Sequence, residues 1–134
     1  MAAAPSDCPC GRSNAKGQPL PYTDCCAPLI DQGLPAPDAE RLMRSRYSAF
    51  VLERADHLLA TWHASTRPAA LTLEPDVKWL GLTVKSHQVI DPDRAEVAFV
   101  ARSRIGGKGH RLEERSRFVR ERGCWFYVDG DVKA

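Results

Sequence analysis

Residues 94–120, RAEVAFVARSRIGGKGHRLEERSRFVR, read as a β-hairpin and decide the fold. The first arm, Arg94 to Arg104, carries Val97, Phe99 and Val100. Gly106-Gly107-Lys108-Gly109 supplies the turn, because glycines accept the backbone angles that reverse a strand. The second arm, His110 to Arg120, alternates. Leu112, Glu114, Ser116 and Phe118 share one face, and Arg111, Glu113, Arg115 and Arg117 share the other. Four charged side chains are more cheaply solvated than buried, so the first set is assigned to the interior. Working outward, Cys124 to Val128 is a further strand. Lys78 to Ile90, with Trp79, Leu80, Leu82, Val84 and Val89, is another, ending at the turn residues Asp91-Pro92-Asp93.

Upstream the period changes. Asp38 is a plausible N-cap, and Leu42, Met43, Tyr47, Ala49 and Phe50 recur at spacings of three and four, while Glu40, Arg41 and Arg44 fall mostly off that stripe. A second helix is expected over Ala55 to Trp62, with Asp56 at its start and Pro68 preventing continuation. Two helices followed by a strand meander predict an α+β domain, with helices on one face of an antiparallel sheet.

The chain has 134 residues, 43% hydrophobic and 27% charged, with a net charge of +2, enough for a packed core and outside the disordered class. No apolar run reaches the roughly 18 residues that a membrane span needs, and Met1 to Pro5 lacks the features of a secretory signal, so a cytoplasmic location is expected. Between Arg102 and Arg122, eight Lys or Arg face three Glu. Such a strip can contact RNA phosphate, but it is more simply the solvated face of a sheet, and nucleic acid is not the expected partner.

Cys8-Pro9-Cys10 and Cys25-Cys26 form two thiol pairs separated by 14 residues rich in Gly, Pro, Ser and Asn. Residues 1–36 are too few to bury a core and need a staple; residues 37–134 form the main domain. Zinc takes four soft ligands in a tetrahedron, and a closed set of cysteines is the usual structural site. A disulfide, free thiols and a catalytic zinc are the alternatives. Four free thiols so close in sequence would be prone to oxidation, and four cysteines leave no open position for a reacting water. Structural zinc is the favoured reading.

Cys-Pro-Cys-Gly at 8–11 with Tyr22-x-x-Cys25-Cys26 resembles the SEC-C zinc knuckle, found at the C-terminus of the preprotein translocase SecA. Leu42 to Val51, Leu59-Ala60-Thr61-Trp62-His63, Glu114-Arg115-Ser116-Arg117-Phe118 and Trp125-x-Tyr127-Val128-Asp129-Gly130 are similar to the bacterial YchJ family. The resemblance runs along nearly the whole chain. It implies a nuclear-transport-factor-two-like (cystatin-like) fold, in which helices are cupped by a curved antiparallel sheet, and zinc on Cys8, Cys10, Cys25 and Cys26. The spacer between the cysteine pairs is longer than the family's usual one, and residues within Ala15 to Pro21 are expected to loop outward. The resemblance implies no particular reaction.

Folds of this shape often enclose a pocket. Arg46, Tyr47, Trp62, His63, Glu114 and Ser116 are the candidates to line it, with Arg46 or His63 as partner to a buried Glu114 carboxylate. The simpler alternative is a polar cluster that satisfies itself within the core. No catalytic residue is assigned. Three functions follow: a zinc-stapled adaptor whose knuckle meets a protein partner, a small-molecule binder or enzyme using the pocket, and an RNA- or ribosome-associated protein using the basic strand. The first is the leading expectation.

Overall fold

The computed structural model describes residues 7–133, so the reading of the first five residues as lacking a signal lies outside it. A single 3-10 turn, Tyr22–Asp24, precedes the short helix α1, Ala27–Ile30. Helices α2, Ala39–Val51, and α3, Ala55–Ala60, follow. The strands are β1, Val77–Asp91, β2, Arg94–Ile105, β3, Lys108–Glu121, and β4, Cys124–Lys133. They form one antiparallel sheet in chain order, the meander predicted from the hairpin.

The central hairpin turns more tightly than its four-residue turn signal suggests. Gly106 and Gly107 have φ of 56° and 77°, the two left-handed residues of a two-residue loop, and Gly109 already pairs with Arg104. That register sets Phe99 opposite Glu114 and Ala101 opposite Leu112, so Leu112, Glu114, Ser116 and Phe118 do face the helices. Strand β4 continues past Val128 to Lys133. Apolar alternation stops at Val128, but the backbone ladder to β3 does not, and Arg117 bonds Asp129 and Asp131 at 2.6 and 2.8 Å. Three register shifts interrupt the β1–β2 pairing and one the β3–β4 pairing; each adds a bend that lets long strands curve around the helices.

Helix α2 begins where expected: the Asp38 carboxylate accepts the Arg41 N–H at 2.8 Å. Leu42, Met43, Tyr47 and Ala49 are buried, as the stripe requires, but so are Ser45, Arg46 and Ser48. The helix is therefore enclosed on more than its apolar side. Helix α3 stops at Ala60, short of Trp62, and its N-cap is Arg54 without a side-chain cap; Asp56 instead pairs with Arg54 at 3.0 Å. Residues after α3 dock on the sheet. Tyr127 N–H donates to Thr61 at 2.8 Å, and His63 N–H donates to the Tyr127 carbonyl at 2.7 Å, making a parallel bridge between Trp62 and Tyr127. Among the described residues no helix is long and apolar enough to cross a membrane.

One histidine joins the two main helices. The Ser45 hydroxyl donates to the Leu42 carbonyl at 2.7 Å, so His57 Nε2, 2.9 Å away, is the donor to the Ser45 oxygen. Burial first, then the Arg46 charge, draws the His57 pKa from 6.5 down to about 4. A depressed histidine adds no pH dependence above its unfolded value and costs stability as pH falls from 6.5 toward 4. Between pH 7 and pH 5 the loss from this ring is about 2 kcal/mol. Urea unfolding at both pH values should therefore show a smaller acid-side loss for His57→Gln than for the unaltered chain. Equal losses in the two proteins would remove this assignment.

Candidate metal centre and cavity

The segment before α2 is built around its four cysteines. Cys8 N–H donates to Leu20 at 2.9 Å and Leu20 N–H donates to Arg12 at 3.0 Å, so the spacer runs as a narrow ribbon. The ribbon turns at Asn14, whose side-chain oxygen accepts from the N–H groups of Lys16 at 2.9 Å and Gln18 at 3.1 Å. Residues 13–19 are exposed, the outward excursion anticipated within Ala15 to Pro21. The chain then returns through the 3-10 turn to Cys25 and Cys26. Cys26 is the N-cap of α1, which is how neighbouring cysteines come to aim at the same point.

All four Sγ atoms lie within 4.8 Å of one another and all four residues are buried. Cys10 Sγ is 3.6 Å from Cys25 Sγ, and Cys25 Sγ is 3.9 Å from Cys26 Sγ. Sulfurs about 2.3 Å from a tetrahedral zinc lie about 3.8 Å apart, so the spacing and the all-sulfur donor set suit such an ion. The four cysteines can hold a metal ion.

The cluster is split: hydrogen bonds among the sulfurs favour thiolate at Cys8 and Cys25 and thiol at Cys10 and Cys26. Backbone N–H groups of Cys10 and Arg12 are directed at the sulfurs of Cys8 and Cys10, and Arg12 Nη1 approaches Cys25 Sγ at 3.9 Å. Hydrogen bonds from Cys10 and Cys26 draw Cys25 down to about 6, whereas bonding to Cys10 and Cys25, with burial, pushes Cys26 up. Without a cation, the cluster keeps part of its protons to limit repulsion between sulfurs.

Helix α2 supplies the other wall. Ser48 Oγ lies 3.3 Å from Cys26 Sγ and 3.6 Å from Cys8 Sγ. Arg41 Nη2 donates to the Cys25 carbonyl at 3.1 Å and Arg44 Nη1 to the Cys10 carbonyl at 2.9 Å. Arg41 and Arg44 fall off the apolar stripe and read as solvated side chains in sequence; they instead bind the carbonyls of two candidate ligands. Their spacing of three along a helix was the available signal.

A second feature occupies the concave side of the sheet: a cavity of about 330 Å³, walled mainly by aromatic side chains. Arg46, Tyr47, Trp62, Glu114 and Ser116 all border it. His63 does not; its Nε2 meets Glu121 at 2.9 Å and its Nδ1 meets Ser65 at 2.7 Å, because the chain after Trp62 turns outward. Neither Arg46 nor His63 is the hydrogen-bonded partner of Glu114. Ser116 Oγ donates to Glu114 Oε2 at 2.5 Å and Tyr127 Oη donates to the same oxygen at 3.4 Å. Burial, then the Glu114 charge, raises Tyr127 to about 12, which keeps it protonated and able to donate.

Arg46 is committed elsewhere. Its Nη1 donates at 2.8 Å to both the Leu58 carbonyl and Thr61 Oγ1. Its guanidinium carbon lies 5.1 Å from the Trp62 ring centre and 4.5 Å from that of Tyr127. Burial lowers its pKa to about 10, which still leaves it charged at neutral pH. Sequence reasoning omitted Trp79 and Tyr127 from the cavity wall. Trp79 stands edge-on to Tyr47 at 5.6 Å, and only the β1 and β4 registers bring them there.

Comparison with known proteins agrees with this geometry. The profile of the family described as YchJ, middle NTF2-like domain, matches residues 38–130. A UPF0225 protein of Polaromonas naphthalenivorans is 65% identical over 130 residues, covering 92% of this chain and 96% of that protein. A UPF0225 protein of Methylibium petroleiphilum is 59% identical over 130 residues, covering 96% of this chain and 90% of that one. Two solved structures are similar, each 30% identical and covering 96% of this chain. The solution structure of a SEC-C motif containing protein from Rhodopseudomonas palustris has a TM-score of 0.80 and is covered in full. The crystal structure of a SEC-C motif containing protein from Psychrobacter arcticus has a TM-score of 0.78 and 83% coverage.

The cluster makes a direct prediction for a chain loaded with zinc. Cys26→Ser should abolish stoichiometric metal in native mass spectra and cost about 3 kcal/mol, on the order of 10 °C in Tm. Ser48→Ala should keep the metal but lose it to a chelator several-fold faster. Unchanged Tm in the first variant would mean that the cluster does not hold the fold.

Proposed function

We propose that this chain, which belongs to the YchJ family of SEC-C motif proteins, is a zinc-stapled binding protein whose ligand site is the cavity of its NTF2-like domain. The observation that carries the reading is the open, aromatic-walled space of about 330 Å³ with a carboxylate and an arginine at its border. A cluster that merely satisfied its own polar groups would have filled that space with side chains. Pockets of about 300 Å³ and above accept small organic molecules.

Zinc, in this reading, is architectural. Cys8, Cys10, Cys25 and Cys26 would hold it, and a closed set of four thiolates supplies cross-linking rather than an open position for chemistry. The staple fastens the ribbon to α2, whose other side chains, Arg46 and Tyr47, form part of the cavity wall. Ser116 donates to the Glu114 carboxylate at the border of the cavity, and the mostly apolar, aromatic lining around that pair favours binding over catalysis.

The exposed ribbon favours a second reading, in which a protein partner contacts residues 13–19. Its ordered Asn14 turn is an unusual investment for a spacer. Deleting 15–17 from the zinc-loaded chain should then remove a specific cross-linked protein in cells while the cavity still binds; an unchanged set of cross-links would discard this reading.

The cavity reading is tested with indole, a small neutral aromatic, titrated into the zinc-loaded chain and followed by ¹H–¹⁵N spectra. Saturable shifts concentrated on Trp79, Ala101 and Leu112, and lost in Ala101→Trp, are expected. Shifts scattered over the surface, or none, would overturn it.

A further inference from the structure

We infer that the cavity selects organic amines, with Glu114 as the group that recognises the ammonium. The inference deepens the cavity reading and rests on it.

The polar groups at the cavity border differ in the hydrogen-bonding capacity they have left. Arg46 is held in place: Nη1 serves two acceptors, and its guanidinium carbon lies 5.1 Å from the Trp62 ring centre and 4.5 Å from that of Tyr127. Ser116 and Tyr127 each commit their hydroxyl hydrogen to Glu114 Oε2. Glu114 differs. Both donated hydrogens reach a single oxygen, and among the described residues no hydrogen bond reaches Oε1. Arg46 influences Glu114 only at longer range; among the described residues the two form no ion pair within 4.0 Å. Two hydroxyl donors fix the carboxylate in place, and they leave one acceptor atom over.

The carboxylate is also given room. Ser116 pairs with Gly130 across the β3–β4 ladder, and a Cβ at residue 130 would overlap the Glu114 carboxyl group. Glu114 therefore lies over a bare stretch of β4 backbone at the cavity border. The remaining wall is suited to a cation with an apolar body. Tyr47, Phe50, Trp79 and Phe99 line it, and Tyr47 and Phe50 both pack on Trp79, with ring centres 5.6 and 5.7 Å away. Aromatic faces attract a desolvated ammonium, and a fixed carboxylate accepts its hydrogens in a charge-assisted bond. A carboxylic acid would meet Glu114 as a like charge. A neutral alcohol on the same ring could give Oε1 only an uncharged hydrogen bond, without the attraction of an ammonium for carboxylate and aromatic faces.

The experiment compares three probes on one ring system, tryptamine, tryptophol and indole-3-propionate, by calorimetry with the zinc-loaded chain at neutral pH. Tryptamine should bind at least tenfold tighter than tryptophol, and indole-3-propionate should bind weakest. Glu114→Gln should erase the preference for tryptamine over tryptophol, with the ¹H–¹⁵N spectrum showing that the variant is folded. Gly130→Ala, which displaces the carboxylate without altering its charge, should reduce the preference as well, and it serves if the first variant fails to fold. Equal binding of tryptamine and tryptophol, or a preference that survives both substitutions, overturns the amine assignment but leaves the cavity as a ligand site. Tightest binding of indole-3-propionate also overturns it and makes Arg46 the recognition group. Binding of none of the three overturns both.

Discussion

Four sulfurs within 4.8 Å of one another, shut away from water, are the constraint to which the N-terminal half of the molecule answers. As thiols they would waste a buried polar volume, and as thiolates they would repel. The surrounding chain is organised to make the charged state tolerable: backbone N–H groups, the Ser48 hydroxyl and Arg12 are all turned toward sulfur. Cys8, Cys10, Cys25 and Cys26 belong to the same core as Leu42, Met43 and Phe118. The segment before α2 is accordingly not a bead on a string. It shares a hydrophobic interior with the sheet, although its composition looks so different.

Helix α2 transmits that constraint. Arg44 and Ser48 lie one turn apart and both face the cysteine segment, whereas Met43, Arg46, Tyr47 and Phe50 border the cavity. Few surface helices are buried on so much of their circumference. Ser45 bonding to His57 closes a third side, so the buried Ser45, Arg46 and Ser48 side chains of the helix all have partners. A cysteine cluster able to hold a metal on one flank and a cavity on the other are thus separated by the thickness of a single helix.

How much of this could be read from sequence depends on whether the signal was local. The hairpin at 94–120, the Asp38 cap and the inward face of β3 are short-range patterns, and they were legible because period and turn chemistry act over a few residues. The pairing of cysteines was legible from their spacing and residue type. Arg41, Arg44 and Ser48 were not, since a polar residue off an apolar stripe looks the same whether it meets water or a second segment. The cavity was partly legible. Glu114 and Ser116 announced themselves by alternation, but Tyr127 and Trp79 arrive through strand register across the sheet, which no local pattern encodes. His63 failed for a related reason: its neighbour Trp62 leaves the helix to pair with Tyr127, and that turns the next side chain away.

The rung between Leu20 and Arg12 closes the ribbon before its tip. Everything beyond that rung is mechanically downstream of it, so residues there can be added or removed without moving Cys10 relative to Cys25. The entropic cost of a longer excursion is small, about 0.6 kcal/mol for each doubling of loop length. The tip is therefore a natural graft point, where foreign sequence can be displayed on a rigid base without renegotiating the interior.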